Sequence, residues 1–421
     1  MSQTIAAKPP WLNLPTASAL SLATRNVVRQ RRRSAVAISA IAFGVVALLL
    51  AGGFIEWVYW AMRDGFIHSQ LGHVQVMRPG YLDGGMADPY AHLLPEDSKD
   101  LRQIAGLDHV TVVTPRLTFS GLISHNDATV SFLGEGVLPD REEQLSRSLQ
   151  IKDGAGLSAK DPRGIVLGEG LAANLGVSVG DTVILLASTR SGGVSAVEGR
   201  VRGLFFTPTK AYDDAALRVP LPLAQQLMKT SGAHRWVVLL DDTDAADRTV
   251  AELRTAFSGS KLEVVPWHDL ADFYNKTRVL FGRQVGVMKL IIAVIVVLSI
   301  SNTLMMGVLE RTAEIGTTMA LGARRSRILR LFLSEAALLG LIGAVLGLLL
   351  GLVLAEAISA VGIPMPPPPG MARGFTGEIL VTWPLVLDAL LLAFGTALLA
   401  GLYPAWKASR MDIVDALRHG R

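Results

Sequence analysis

The sequence contains no cysteine, no nucleotide-binding P-loop and unusually little charge, and each absence narrows the possible functions. Without cysteine, a domain outside the cytoplasm must be held together by its core alone, because no disulfide can form. No run of the form G-x-x-x-x-G-K-[ST] occurs, so the chain cannot bind nucleotide phosphates through a P-loop. Only 18% of the 421 residues are charged, compared with about 25% in an average soluble protein.

What the sequence has instead is a hydrophobic content of 50%, concentrated in long runs. The length of each run is close to the roughly 20 residues that a helix needs to cross the hydrocarbon core of a bilayer. Buried helices of a soluble protein are the alternative, but these average about 11–12 residues and are usually amphipathic. The runs therefore predict an α-helical membrane protein with four transmembrane helices, at residues 34–55, 285–309, 331–355 and 383–406.

The first run could instead be the apolar part of a signal peptide, since it follows a basic stretch. It begins after residue 30, however, and no small-residue cleavage pattern follows it before Glu56. It is also longer than the roughly 7–15 apolar residues of a signal peptide. An uncleaved transmembrane helix is the better interpretation.

Basic residues beside the runs predict the orientation, because Lys and Arg are retained on the cytoplasmic side. Three segments are rich in them and are expected in the cytoplasm: 1–33, 310–330 and 407–421. The Pro-rich loop 356–382 carries only Arg373 and suits the outer side. Residues 56–284 then form one large extracytoplasmic domain, and both termini are cytoplasmic.

The charge distribution agrees with this topology. Residues 56–284 hold 23 Lys and Arg against 28 Asp and Glu, a net charge of −5, whereas the rest of the chain holds 17 against 8, a net charge of +9. The overall net charge of +4 is the sum of these two parts. It therefore gives no indication of a nucleic-acid partner.

The large extracytoplasmic segment is predicted to be mixed α and β. Four short β-branched runs have the length of strands: 73–77, 164–167, 182–187 and 235–240. Other stretches have helical spacing: 221–229, 245–257, 56–71 and 270–289. Ahead of the first span, residues 19–29 are amphipathic and basic, which predicts a helix along the inner membrane surface.

Three patterns in this domain resemble catalytic or ligand sites, and each has a simpler interpretation. Gly168–Ala173 matches a dinucleotide-binding pattern, but no second strand with a ribose-binding acid follows, so a tight turn is favoured. Ser178 lies in a G-x-S-x-G run, but the helix precedes the strand, the reverse of a nucleophile elbow. His68 and His73 lack thiol or carboxylate support for a metal. We predict no catalytic, cofactor or metal site on this chain.

Two features of the spans bear on packing and ion pathways. Glycines recur along one face of the third span, which favours close approach of a second helix or a dimer face: Gly340, Gly343, Gly347 and Gly351. Lys289, Glu335 and Asp388 lie at span ends, where they can reach the interface or cap a helix. A role for them in an ion relay stays open.

The segment between the second and third spans is the most informative. It predicts a short helix broken at Gly322-Ala323, followed by a basic amphipathic helix that runs into the third span. Its sequence resembles the E-R-x-x-E-I-G…A-L-G-A signature of the FtsX-like permeases of ABC transporters. Nine residues match this signature: Glu310, Arg311, Glu314, Ile315, Gly316, Ala320, Leu321, Gly322 and Ala323. Glu335 resembles the acid that opens the third span in that family.

Further stretches are similar to the lipoprotein-releasing permease group within the family: 72–76, 166–180, 213–222 and 264–270. The resemblance implies a permease in the bacterial inner membrane, with a MacB-like α/β periplasmic domain between the first and second helices. It also implies that the signature segment couples to a separate ABC ATPase, which binds ATP and Mg²⁺, so this chain needs no cofactor.

The same resemblance implies a second permease protomer, identical or paralogous, and a mechanotransmission mechanism in which ATPase motion moves the outer domains. A lipoprotein or other amphiphilic cargo, drawn from membrane lipid, and a periplasmic adaptor or chaperone complete the expected partners. The alternative is a regulatory scaffold that transmits this motion to a periplasmic partner such as a cell-wall hydrolase.

Overall fold

The computed structural model describes residues 17–85, 88–207, 209–366 and 374–412. The chain divides into two compact units. We call residues up to 58, 278–363 and those from 376 the membrane unit, and residues 59–277 with 364–375 the inserted domain. Parts of the predicted N-terminal segment, Pro-rich loop and C-terminal tail lie outside the described residues: 1–16, 367–373 and 413–421.

Fourteen α-helices are described, together with one π-helical turn at Ile67–Leu71 and one 3₁₀ turn at Thr243–Ala245. In chain order the helices are α1 (Ala17–Arg29), α2 (Arg31–Phe66), α3 (Tyr81–Gly84), α4 (Lys99–Ala105), α5 (Pro139–Leu145), α6 (Glu169–Leu175), α7 (Lys210–Asp213), α8 (Leu221–Met228), α9 (Ala246–Ala256), α10 (Trp267–Leu270), α11 (Asp272–Glu310), α12 (Thr312–Ala320), α13 (Arg325–Val361) and α14 (Trp383–Ser409).

Twelve β-strands are described, ten of which form one sheet. They are β1 (Val74–Met77), β2 (Val110–His125), β3 (Ala128–Val137), β4 (Gln150–Gly154), β5 (Gly164–Gly168), β6 (Thr182–Ser188), β7 (Val194–Phe206), β8 (Ala216–Pro220), β9 (Arg235–Leu240), β10 (Glu263–Pro266), β11 (Ile363–Met365) and β12 (Phe375–Gly377).

Four helices of the structure are long and apolar enough to cross a membrane: α2 with its π turn, α11, α13 and α14. Each is longer than the predicted span, because the helix continues past the apolar run into charged or polar sequence. The predicted outer loop 356–382 is correspondingly shorter. Helix α13 extends to Val361, and β11 pairs with β12 in the part of that loop that the structure describes.

The membrane unit has a large apolar core, formed by aliphatic side chains and alanines of its long helices. Its core combines Ile41, Leu48 and Leu49 of α2 with Leu339 and Ala393 of α13 and α14, all fully or nearly buried. Helix α11 buries fewer side chains and leaves a wide apolar face exposed, including Leu290 and Leu298. Such a face is compatible with lipid contact.

Six strands of the inserted domain form a closed ring. The pairings run β2–β3, β3–β8, β8–β5, β5–β7, β7–β6 and back from β6 to β2. The ring encloses one apolar core, which includes Leu117, Phe132, Ile165 and Leu185. Helices α6 and α8 supply Leu171 and other side chains to this core. We call this part the barrel.

A second part of the inserted domain is a four-stranded antiparallel arrangement in the order β10–β1–β9–β2. Its own core contains Val76, Trp236 and Val238, covered by Leu253 of α9 and Ile104 of α4. Strand β2 belongs to both parts, because its first half pairs with β9 and its second half with β3. We call this part the four-stranded sheet.

His73 gives the inserted domain a testable dependence on pH. The buried ring accepts a hydrogen bond at Nδ1 from the Leu240 amide (3.0 Å) and contacts the Thr243 hydroxyl through Nε2 (3.0 Å). Burial, with His68 and Arg63 nearby, lowers its pKa from 6.5 to about 4. The unfolded chain therefore binds more protons than the folded one in this interval, and stability falls as pH drops from 6.5 towards 4.

Replacing His73 with glutamine is expected to flatten this dependence by about 1.4 kcal/mol per pH unit, because one proton is no longer taken up on unfolding. The measurement is pulse proteolysis of the inserted domain in the full chain, in detergent, across urea series at several pH values. An unchanged slope in the variant would contradict the assignment.

Candidate functional site

The signature segment folds into a compact unit against the start of α13. Helix α12 begins after Arg311 and buries Ile315, Gly316 and Met319. Ile315 and Met319 share a small apolar core with Ile328 and Phe332 of α13. The Arg311 guanidinium lies 5.8 Å from the centre of the Phe332 ring, a distance at which a cation and an aromatic face attract each other.

The acids of the signature are paired within the chain. Glu310 forms an ion pair with Arg33 at 2.5 Å, and Glu314 lies 3.5 Å from Arg29 and 3.3 Å from Arg311. The segment is therefore joined to α1 and to the start of α2 by charge pairs, and to α13 by its apolar core.

Glu335, on α13, completes this network. It accepts a hydrogen bond from Arg311 at 3.1 Å and another from the side-chain amide of Asn26. Because Glu335 is largely buried, its charge depends on these two donors. The structure thus brings Arg311 and Glu335 together and adds three residues that the signature does not include: Asn26, Arg29 and Arg33.

The end of α12 has the opposite character. Leu321 is 85% exposed, and Ala320 and Gly322 are exposed beside it. Gly322 has a φ of +92°, a backbone conformation that glycine adopts far more readily than other residues. Ala323 and three exposed arginines follow in the connection and the first turn of α13: Arg324, Arg325 and Arg327. We call residues 320–327 the tip.

The nine signature residues therefore divide into two groups. Glu310, Arg311 and Glu314, with the buried Ile315 and Gly316, hold the segment in place. Ala320 to Ala323 present an apolar surface, beside the exposed arginines that follow them. The sequence pattern alone did not distinguish these groups, because the partners of the acids lie far away in the chain.

The four glycines of the third span each lie against another helix of the same chain. A Cβ atom on Gly343, Gly347 or Gly351 would come within 2.7 Å of an atom of α2, and one on Gly340 within 2.6 Å of Ala397 in α14. At Gly340, Gly343 and Gly347 the nearest atoms are Cβ or backbone atoms, so a side chain would require the helices to shift. At Gly351 the nearest atom is the flexible end of Leu49, which can move aside. In the structure this glycine face packs within the protomer.

The ionisable residues at the span ends are also engaged. Lys289 of α11 forms an ion pair with Asp388 of α14, and both side chains are partly exposed. This pair ties α11, the helix with the largest exposed apolar face, to its neighbour. It places two opposite charges together where each alone would be costly in a bilayer.

The three patterns that resemble other sites have structural explanations. A Cβ on Gly168 would lie 2.1 Å from the Asp213 carbonyl oxygen, so this glycine permits close packing. The Ser178 amide donates to the Asp181 carboxylate at 2.8 Å, as in a turn. Within the residues that the structure describes, no group of three or more His, Cys, Asp or Glu side chains could hold a metal ion.

Comparisons with known proteins agree with this architecture. The FtsX-like permease C-terminal family matches residues 286–413, and the MacB-like periplasmic core domain matches residues 34–256, more than half of the chain. An uncharacterised ABC transporter permease of Methanocaldococcus jannaschii is 24% identical, with 95% of this chain and 97% of that protein covered.

Two relatives carry more specific names. The lipoprotein-releasing system transmembrane protein LolC of Xylella fastidiosa is 29% identical over 68% of this chain and 72% of its own length. The macrolide export ATP-binding/permease protein MacB of Sodalis glossinidius is 27% identical over 94% of this chain. The chain spans 60% of the length of that MacB protein.

The structure combines four apolar helices, an α/β domain inserted after the first helix, and a compact segment between the second and third. Together with the family matches, these features define a membrane permease of the ABC transporter class. It is an inner-membrane protein with a periplasmic domain. The chain belongs to the FtsX-like permeases with a MacB-like periplasmic core domain, the type that includes the proteins named MacB and LolC.

Proposed function

We propose that the chain is the permease subunit of an ABC complex that works by mechanotransmission. A separate ATPase subunit binds ATP and Mg²⁺ at the cytoplasmic face, and its motion is passed through the membrane helices to the inserted domain. Two permease protomers, identical or paralogous, act together. Both termini lie in the cytoplasm on this proposal, as the basic segments indicate.

The single observation that carries the ATPase contact is the division of the signature segment. The paired acids and the shared core fix α12 to α1 and α13, so a force applied to the tip reaches the membrane helices. The tip itself presents the exposed Leu321 beside exposed arginines. Gly322, in its left-handed conformation, forms the turn between α12 and α13. A partner that fits it has an apolar recess lined with acidic residues.

The cargo we propose is a lipoprotein or another amphiphilic molecule taken from the outer leaflet. The names of two relatives, one for lipoprotein release and one for macrolide export, support an amphiphilic cargo. The spans also contain few polar residues that could line an aqueous path. A periplasmic adaptor or chaperone would receive the cargo.

Replacing Leu321 with glutamate tests the ATPase contact. We expect at least a tenfold loss of ATPase subunit co-purified with the permease, because a buried apolar contact becomes an uncompensated charge opposite an acidic surface. The matched control is Val361→Glu, which introduces the same charge at an 87% exposed apolar residue. Val361 is the last residue of α13, and the tip lies at the start of that helix.

If Leu321→Glu recovers the wild-type amount of ATPase subunit, the assignment of the tip is wrong. An equal loss of ATPase subunit with Val361→Glu would also overturn it, because the loss would then not depend on the position of the charge. Mass spectrometry of the purified wild-type complex then addresses the cargo. Bound lipoproteins or lipids support transport, whereas a cell-wall hydrolase without cargo would favour the scaffold function.

A further inference from the structure

The C-terminal end of α2 is held by an unusual set of hydrogen bonds. The helix ends in the π turn Ile67–Leu71, where His68 departs from helical geometry (φ −95°, ψ 20°). Three successive backbone carbonyls of this turn accept from residues outside the helix. The His68 carbonyl accepts from the Ser148 amide at 2.9 Å, the Ser69 carbonyl from Arg218, and the Gln70 carbonyl from Arg116 at 2.7 Å.

The two arginines are buried and belong to an ion cluster. Arg116 is 0% and Arg218 2% exposed. Arg116 makes a bidentate contact with Glu142, at 3.0 and 2.8 Å, and Arg218 lies 3.2 Å from Glu135. Arg235 also pairs with Glu135. We call Arg116, Arg218, Arg235, Glu135 and Glu142 the arginine cluster.

The cluster has more donors than its own acids can satisfy. Three guanidinium groups face two carboxylates, which leaves one uncompensated positive charge. The Ser69 carbonyl accepts from Arg218 and the Gln70 carbonyl accepts from Arg116, so these two carbonyls bind guanidinium donors that the two carboxylates leave over. Displacing the π turn would leave buried guanidinium donors unpaired, which is costly. The turn and the cluster are therefore energetically coupled.

The cluster lies at the junction of the two parts of the inserted domain. Arg116 is the last residue of β2 that pairs with β9, opposite Arg235, and Leu117 is the first that pairs with β3. Glu135 and Arg218 are opposite each other on β3 and β8 of the barrel. A displacement of the π turn thus acts on the four-stranded sheet and the barrel at one point.

We propose that Arg116 and Arg218 are positioning residues that fix the C-terminal end of α2 to this junction, so that the barrel and the four-stranded sheet follow the helix as one body. This inference rests on the proposed function, in which α2 carries motion from the membrane to the inserted domain. Neither arginine contacts cargo or nucleotide in this role.

The absence of native cysteine makes a distance measurement direct. Two cysteines are introduced for spin labels, Phe43→Cys at a 75% exposed residue of α2 and Ser131→Cys at an exposed residue of β3. Distances are measured by pulsed electron paramagnetic resonance on the full chain with its ATPase in lipid nanodiscs, with and without ATP and vanadate. Amide exchange of residues 67–72 is measured in parallel.

Arg218→Lys is the informative variant, because lysine keeps the charge but cannot reach Ser69, Ser146 and Glu135 at once. We expect a distance distribution at least twofold wider and amide exchange at 67–72 at least tenfold faster. Arg200→Lys, at an exposed arginine of the same domain, is the matched control and should leave both unchanged.

Wild-type width and exchange in Arg218→Lys would overturn the inference. If that variant fails to fold, Ser146→Ala replaces it, since it removes the 2.6 Å acceptor of Arg218 without changing any charge. A smaller broadening is then expected, and none would again overturn the inference.

The two proposals fail in different ways. A wild-type distance that does not change with ATP and vanadate contradicts mechanotransmission, whatever the width of the distribution. If ATP and vanadate shift the distance equally in wild type and Arg218→Lys, and the two distance distributions are equally narrow, the positioning role is contradicted. Mechanotransmission would still be supported by that shift.

Discussion

Replacing Arg116 with alanine is expected to lower the free energy of unfolding of the inserted domain by about 3–5 kcal/mol. The fully buried guanidinium makes two hydrogen bonds to Glu142 and one to the Gln70 carbonyl. Its removal leaves the Glu142 carboxylate buried with only part of its compensation. In the native domain burial raises the pKa of Glu142, but Arg116 and Arg218 lower it by a larger amount, so that the pKa lies below its usual range and the carboxylate that loses Arg116 is a buried charge.

The measurement is the urea midpoint of the inserted domain in the full chain, followed by pulse proteolysis. The control is Arg200→Ala, which removes an ion pair to Asp161 of 2.9 Å from an arginine whose side chain is 61% exposed. Exposed pairs are worth at most about 1 kcal/mol. Equal destabilisation by the two variants would show that the arginine cluster adds little to stability.

Replacing Gly347 with leucine is expected to separate α13 from α2 and to remove most folded protein from the membrane. A Cβ at this position would lie 2.7 Å from both the Ala42 carbonyl oxygen and the Val45 Cβ. One of these atoms belongs to the backbone, so the helix itself must move. Overpacking a tight interface costs about 1–3 kcal/mol or more, and the gain from close helix contact is lost as well.

The matched control is Gly395→Leu in α14, where a Cβ would meet no atom within 4 Å. The same change there should leave the amount of folded protein and its thermal midpoint in detergent close to wild type. If Gly395→Leu is as damaging as Gly347→Leu, the effect comes from glycine replacement in general and not from the α2–α13 contact.

The local features of this fold could be predicted from the sequence because each is set by neighbouring residues. Apolar runs of bilayer length lie within α2, α11, α13 and α14, and four β-branched runs coincide with β1, β5, β6 and β9. The break at Gly322 likewise follows from one residue that tolerates a left-handed backbone. No long-range information was needed for these features.

The pairings between distant residues could not be predicted in this way. Arg33 and Glu310 are on opposite sides of the inserted domain in the sequence, and the ring of strands closes through β6 with β2. A single chain contains no signal for such partners. Some signal did exist for the arginine cluster, since Arg218 interrupts the apolar run of β8 and Arg235 directly begins the apolar run of β9.

The closed ring of the barrel restricts how a polypeptide could be captured. Proteins often bind an extended segment by adding it as a further strand at a sheet edge. Among the strands that the structure describes, each of the six in the ring pairs on both sides over part of its length, but residues 128–132 of β3 pair only with β2 and residues 194–199 of β7 only with β6. Strands β4 and β10 each pair on one side only. Strand β4 is fully exposed and carries Lys152 and Asp153. An extended peptide or lipopeptide can therefore pair its backbone only with β4, with β10 or with such one-sided stretches of the ring. Where the ring strands pair on both sides, the barrel must recognise such a segment through side chains.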